Sequence, residues 1–328
     1  MFNKKILITG AAGFIGYHLS TKLSENNSIT LIDNFTRNRI DDDFKSLIAK
    51  KNMRFINADL TNKNFYKDLD THYDSVIHLA AINGTRYFYE KPYEVLRVNI
   101  LSLMNMIEWI NKKNTGKFIF SSSSEAYAGT ISAFSKAGNY LPTNELIPLC
   151  IDNIFNERYS YGGSKLIGEL IVVNYFKKVN VLYSIIRYHN IYGPRMGFEH
   201  VIPEFAKRVH SGENPFIING GDQTRAFCFI DDAVKATKDI MLSKSCNNDV
   251  FHVGNSNEET NITDLAKKIF KISNFSADIK INQALPGSVL RRCPDTNKIE
   301  KLINYKPLIT LNEGLKKTLN WYYNFFDK

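Results

Sequence analysis

The stretch Ile6-Leu7-Ile8-Thr9-Gly10-Ala11-Ala12-Gly13-Phe14-Ile15-Gly16 decides the fold. Its apolar opening reads as a buried strand, its glycines as a tight turn, and Phe14 onward as the start of a helix. A turn of this kind lets backbone amides approach a pyrophosphate, which the helix N-terminus then stabilises. The spacing is Gly-x-x-Gly-x-x-Gly, not the Gly-x-Gly-x-x-Gly of the commonest dinucleotide folds. The helix runs to about Ser24 and a second strand covers Ser28 to Ile32. Asp33 ends that strand about twenty residues past the turn, where a carboxylate binds both ribose hydroxyls and repels a 2′-phosphate. NAD is therefore the expected cofactor, with nearby Arg37 the one residue that would favour its phosphorylated relative.

The pattern then repeats. Strands are predicted at Arg54 to Asn57, running into Ala58-Asp59-Leu60, at Ser75 to Leu79, running into Ala80-Ala81, at Lys117 to Phe120, and at Val181 to Arg187. Continuous apolar strands alternating with helices imply a parallel sheet covered on both faces, a Rossmann-type doubly wound α/β fold. Ligands bind at the carboxyl ends of such strands. Asp59 and the run Ser121-Ser122-Ser123-Ser124-Glu125 are thus expected to face a site, although Asp59 could equally cap the turn after it. Residues 133–157 read as an irregular polar flap over that site.

Beyond Gly193-Pro194 the pattern loosens. Short strands are predicted at Phe216 to Ile218, Phe227 to Ile230 and Val250 to Val253, and helices at Ala233 to Ser243, Thr263 to Ile272 and Leu311 to Phe325. This divides the chain into a dinucleotide-binding part, 1–190, and a smaller α/β substrate part, 191–328, interleaved without a linker. Arg195, Arg225, Arg291 and Arg292 are scattered through the second part, and arginine forks suit a nucleotide diphosphate.

Tyr161-Gly162-Gly163-Ser164-Lys165 supplies the chemistry. Positions four apart share a helix face, and a buried ammonium beside a phenol lowers a pKa that is ordinarily about 10. Tyr161 becomes a general base for a sugar hydroxyl. The spacing alone is weak, since Tyr87 and Lys91 repeat it by chance. Each glycine in this helix costs about 1 kcal/mol relative to alanine, and close approach of a ligand or another backbone is the usual justification.

A hydrophobic content of 44% and a charged content of 23% are ordinary for a globular protein. No apolar run approaches the roughly 20 residues of a membrane span, and Met1-Phe2-Asn3-Lys4-Lys5 does not read as a signal peptide. Four dispersed cysteines and seven histidines form no metal-ligand spacing, so a reducing cytoplasm and no metal are expected. The net charge of +9 comes from scattered lysine pairs on helix faces, which does not make a nucleic-acid surface. Helices over Tyr93 to Asn111 and Leu166 to Phe176 are apolar on more than one face, which predicts a homodimer contact.

Taken together, these residues resemble the extended short-chain dehydrogenase/reductase family, specifically its nucleotide-sugar epimerases, dehydratases and decarboxylases. The matching motifs are Thr9 to Gly16, Asp33-Asn34, His78-Leu79-Ala80-Ala81, Asn99, Tyr161-x-x-x-Lys165, Arg187 to Arg195 and Gln223-Thr224-Arg225-Ala226-Phe227. The resemblance implies a cofactor site of Gly10, Gly13, Phe14, Ile15, Gly16, Asp33, Asn34, Asp59, Leu60, Leu79, Ala80, Ala81, Asn99, Tyr161 and Lys165. It places the substrate, a nucleotide-diphosphate sugar, against Asn190, Arg195, Arg225 and Arg292. Ser123 falls at the catalytic serine or threonine position, and Ser123-Ser124-Glu125 looks like the Thr-Ser-Glu of glucuronic acid decarboxylases and GDP-mannose dehydratases. The implied reaction begins by oxidising the sugar at C4, with Tyr161 taking the proton and Lys165 holding the nicotinamide ribose. Loss of water, loss of carbon dioxide or return to the opposite face could each follow. Glu125 has work as a C5 base in the first, and orients a carboxylate or returns a proton in the second, which favours a lyase. A catalytically silent NAD sensor would have lost Tyr161 or Lys165.

Overall fold

A computed structural model describes residues 3–36, 41–70, 72–111, 114–134, 140–284 and 288–327. Arg37 lies outside them.

Seven parallel strands form the central sheet. In chain order they begin with β1 (Lys5–Thr9), β2 (Ser28–Asp33), β3 (Met53–Asn57), β4 (His72–His78), β5 (Asn114–Ser123) and β6 (Leu182–Tyr188). The small strands β7 (Ile191–Tyr192), β8 (Phe216–Asn219), β9 (Thr224–Ala226) and β10 (Cys228–Phe229) come before β11 (Asp249–Val253), the seventh strand of the large sheet. Last come β12 (Glu259–Asn261), β13 (Ile279–Asn282) and β14 (Arg291–Arg292). The large sheet runs β11-β6-β5-β4-β1-β2-β3, so strand order reverses between β1 and β4 and opens a crevice there.

The helices are α1 (Phe14–Leu23), α2 (Asp42–Ile48), α3 (Thr85–Glu90), α4 (Pro92–Asn111), α5 (Ala128–Phe134), α6 (Tyr159–Val179), α7 (Val201–His210), α8 (Ile230–Leu242), α9 (Ile262–Ile272), α10 (Asn297–Ile303) and α11 (Leu311–Phe326). Side chains alternate across a strand, and the core divides accordingly. Leu7, Val76, Phe118 and Ile185 pack with Leu103, Met106, Val172 and Phe176 of α4 and α6. Ile6, Ile8, Ile77, Ile119 and Ile186 face the opposite layer, where Leu19 and Leu23 of α1 join Ala233, Ala236 and Ile240 of α8. That second layer is continuous with the core of the C-terminal part, through Phe205, Phe216, Leu265 and Leu315. Buried Lys117 fastens the two parts from below, its Nζ donating to the carbonyls of Ile240 and Ser243 at 2.8 and 3.2 Å. It satisfies the orphan carbonyls of the α8 C-terminus.

Several boundaries differ from the sequence reading. The strand predicted at Lys117 to Phe120 continues further: Ser121, Ser122 and Ser123 are the last residues of β5 and pair with Ile186, Arg187 and Tyr188. Pairing with β6, which continues past the end of β4, overrides the low strand propensity of serine. The strand predicted at Phe227 to Ile230 is two short strands broken at Phe227, with Ile230 already in α8. The predicted flap opens with α5 and is tied down at Thr143, whose N–H donates to the Cys293 carbonyl at 2.8 Å.

Candidate active site

A cavity of about 1270 Å³ starts at the carboxyl ends of β1, β2 and β4 and runs into the C-terminal part of the chain. Its first section is the turn after β1. Gly10 has φ +67°, and a Cβ there would stand 2.8 Å from the Ala80 nitrogen. A Cβ on Gly16 would strike the Gly10 carbonyl, so the first turn of α1 lies directly on the strand end. Gly13, Phe14, Ile15 and Gly16 line the cavity there, giving a glycine cradle at a helix N-terminus that fits a pyrophosphate. Asp33 is fixed at the end of β2, accepting from the N–H groups of Ala12 at 3.0 Å and Phe35 at 2.8 Å. Asn34, Asp59, Leu60, Leu79, Ala80 and Ala81 also line this section. Asp59 both faces the cavity and caps its own turn, accepting from the Thr61 N–H at 2.9 Å.

Asn99 does not line the cavity as expected. Its amide is spent on protein: Oδ1 accepts from the Ile82 N–H at 2.8 Å and Nδ2 donates to Ser164 Oγ at 3.1 Å. Ser164 Oγ in turn donates to the Tyr161 carbonyl at 2.7 Å. Asn99 therefore joins the loop after β4 to α6 and, through Ser164, to the Tyr161 backbone. Nothing in the sequence spacing separates that role from direct contact.

Tyr161 and Lys165 share one face of α6 and both line the cavity. The Tyr161 ring stacks on Phe88 of α3 with centroids 4.8 Å apart and planes 11° apart. Lys165 Nζ donates to the Ser121 carbonyl at 2.7 Å and stands 5.5 Å from the Tyr161 ring centroid. Burial brings its pKa down to about 7 against the opposing charge of Glu169. Ser123 Oγ, at the end of β5, accepts from the Glu125 N–H at 3.2 Å and starts the short turn Ser124–Tyr127. Ser123, Ser124 and Glu125 all reach the cavity wall. The decoy pair lies elsewhere: neither Tyr87 nor Lys91 lines the cavity, and Lys91 is exposed.

Glu125 is the surprise. Arg158, just before α6, grips it through Nη2 at 2.7 Å and Nε at 3.2 Å. Arg292 donates to the same carboxylate through Nη1 at 2.7 Å. Burial alone would raise the Glu125 pKa, but the charges of Arg158 and Arg292 outweigh it and hold the carboxyl well below the usual range. A carboxylate held this way is a poor proton acceptor, so the geometry does not support Glu125 as a C5 base. Arg225 lines the same region, and burial followed by the charge of Arg292 lowers its pKa to about 9. Two guanidinium groups thus hold the carboxylate, a third, on Arg225, stands within electrostatic reach, and Nε and Nη2 of Arg292 have no acceptor among the described residues.

The remaining predicted residues divide. Asn190 lines the cavity and donates to the Ala226 carbonyl at 3.3 Å. Arg291 points away and pairs with Glu259 at 2.7 Å, half exposed. Arg195 lines the cavity beside α1 and the start of α2. Its backbone has φ +70°, which turns the guanidinium over the Tyr17 ring of α1 at 4.0 Å. The sequence reading missed Arg158 and the Glu169–Arg187 pair at 2.7 Å beneath Ser122. Only their placement next to Glu125 and Ser122 in space distinguishes them.

The crevice, the glycine cradle and the Tyr–Lys helix define a dinucleotide-dependent enzyme of the short-chain dehydrogenase/reductase type. Residues 6–254 match the model of the NAD dependent epimerase/dehydratase family, and the chain belongs to that family, with NAD as its cofactor. It is 33% identical to a putative UDP-glucose 4-epimerase of Methanocaldococcus jannaschii, covering 97% of this chain and 98% of that one. It is 30% identical to a UDP-N-acetyl-α-D-glucosaminuronate decarboxylase of Bacillus cytotoxicus, over 97% and 98% of the two chains. The UDP-glucuronic acid 4-epimerase of Bacillus cereus, solved with UDP-glucuronic acid and NAD, superposes with a TM-score of 0.81 at 27% identity, covering 98% and 99%. The chain is thus an NAD-dependent nucleotide-sugar enzyme.

Proposed function

We propose that this enzyme acts on a nucleotide sugar bearing a C6 carboxylate, oxidises it at C4 and releases that carboxylate as carbon dioxide. The observation that carries the reading is Glu125 clamped between Arg158 and Arg292, with Arg225 beside them. Three positive charges against one negative suit a ligand with acidic groups at both its diphosphate and its sugar. Dehydration would need a free base at C5, which the clamped Glu125 does not provide.

Tyr161 takes the C4 hydroxyl proton, while Ser123 holds the same oxygen in line. Lys165, with its pKa at about 7, keeps Tyr161 acidic in its protonated form. NAD, when bound, accepts the C4 hydride and later returns it. With C4 a ketone, the C5–C6 bond pair flows into the C4 carbonyl as carbon dioxide leaves, and Tyr161 donates its proton to the resulting oxyanion. A solvent proton then adds at C5. Arg292 orients the carboxylate beforehand, and Glu125 orients Arg292.

A second reading is 4-epimerisation, favoured by the epimerases among the relatives. It uses the same C4 chemistry without breaking C5–C6. The deciding experiment incubates the protein with UDP-glucuronate, UDP-N-acetylglucosaminuronate, UDP-glucose and dTDP-glucose and follows product mass. Loss of carbon dioxide from an acidic sugar supports the proposal. Loss of water, or an unchanged mass with a new C4 epimer, overturns it. We also propose a homodimer through α4 and α6, where Tyr93 is 76% exposed and Met104 and Leu170 are also exposed. Light scattering that gives a monomer refutes this.

A further inference from the structure

We propose that Arg195 is a latch that slows the escape of bound NAD. It acts on the cofactor turn from the substrate part of the chain.

Arg195 follows β7, yet its ion-pair and ring partners among the described residues, Asp41, Asp43 and Tyr17, all lie in the first part of the chain. The guanidinium lies over Tyr17 of α1 and forms an ion pair with Asp41, with Asp43 at 3.7 Å. Asp41 is the N-cap of α2, where its side chain also accepts from the Phe44 N–H at 2.8 Å. The Arg195 side chain is only 7% exposed, whereas that of Asp41 is 42% exposed. The residues on either side are anchored too. His18 Nε2 donates to the Pro194 carbonyl at 2.9 Å, and the Tyr322 hydroxyl donates to the Met196 carbonyl. Three consecutive residues therefore hold α1, α2 and α11 together, and they keep Arg195 in a left-handed conformation that a non-glycine residue adopts only when its surroundings impose it.

Arg195 and Asp41 both line the cavity section formed by Gly13, Phe14, Ile15 and Asn34. On one side of that section is the N-terminus of α1, which fits the pyrophosphate, and on the other the end of β2, which fits the ribose. A bond from the α2 N-cap across α1 to the substrate part closes the side by which the adenosine half would leave. This inference needs NAD as the cofactor and is independent of which sugar reaction follows.

The test measures release of isotopically labelled NAD from the intact protein into excess unlabelled NAD. Arg195→Met keeps the packing over Tyr17 and removes the charge. Asp41→Asn keeps an N-cap oxygen and removes the opposite charge, so it remains informative if Arg195→Met folds poorly. Each substitution should speed release about fivefold to tenfold, as expected for one partly buried ion pair. The double variant should be no faster than either single variant, because both remove one bond. Unchanged release in both single variants overturns the proposal, as do additive effects in the double variant. Unchanged NAD release with weaker UDP-glucuronate binding would return Arg195 to the substrate and equally overturn it.

Discussion

The Glu125 carbonyl and Gly162 are so close that a Cβ on Gly162 would lie 2.7 Å from the carbonyl oxygen. The first turn of the catalytic helix therefore rests directly on the backbone of the clamped carboxylate. Gly163, its neighbour, would meet only the end of the Ile151 side chain, at 3.3 Å.

Gly162→Ala should lower turnover by about tenfold or more, because backbone cannot yield as a side chain can and Tyr161 must shift. Gly163→Ala should be neutral or raise the melting temperature, since alanine gains up to about 1 kcal/mol of helix propensity. Steady-state rates and thermal melts of both variants check this. Equal effects would mean that the Glu125 contact does not set the helix position.

Tyr161→Phe retains the stack on Phe88 and removes the hydroxyl. Turnover should fall by about 10²–10⁴-fold, the usual contribution of a general acid–base group, with NAD still bound. Tyr87→Phe should leave the rate unchanged. Comparable losses would show that the wrong tyrosine has been assigned.

Arg292→Met separates the acidic sugar from the neutral one. Binding of UDP-glucuronate should weaken by about 30-fold or more, as truncating one partner of a buried charge pair costs about 2–5 kcal/mol. UDP-glucose should weaken by less than about threefold. Equal weakening, measured by calorimetry, would place Arg292 on the diphosphate instead.

Acid should unfold the protein early. Burial, with the charge of Lys165, brings the His78 pKa down to about 3; burial and Arg187 do the same for His252. Burial and the neighbouring His252 hold His189 well below its ordinary value. Each is neutral when folded and takes up a proton near pH 6.5 when unfolded, so the unfolded state binds more protons below that pH. The stability they contribute is complete above about pH 6.5 and is lost as the pH falls towards 3, at about 1.4 kcal/mol per histidine per pH unit. Melting temperatures should drop steeply between pH 6.5 and 5. A flat profile there contradicts the burial assignment.

Much of this was legible in the sequence because it is local. The turn from Gly10 to Gly16, Asp33 at its strand end and the Tyr161–Lys165 spacing each depend on a few neighbouring residues. What was not legible depends on residues far apart in the chain. Glu125 reads as a free base until Arg158 and Arg292, the latter 167 positions away, are seen on its carboxylate. The contacts of Arg195 with Tyr17 and Asp41 were not legible either, because they follow from its left-handed backbone and from residues more than 150 positions away. The bonds of Asn99 to Ile82 and Ser164 were hidden for a third reason: a buried amide and a cofactor-facing amide call for the same residue at the same helix position.

Strand β11 lies beside β6 at the edge of the large sheet, although the chain reaches it only after building much of the substrate part. Chimaeras joined near residue 190 would therefore inherit mismatched surfaces. A transplanted substrate part would bring a foreign edge strand, and with it the Ile240 and Ser243 carbonyls that Lys117 needs. Sugar preference in such a chain is better changed by replacing side chains around Arg225 and Arg292 than by exchanging whole segments.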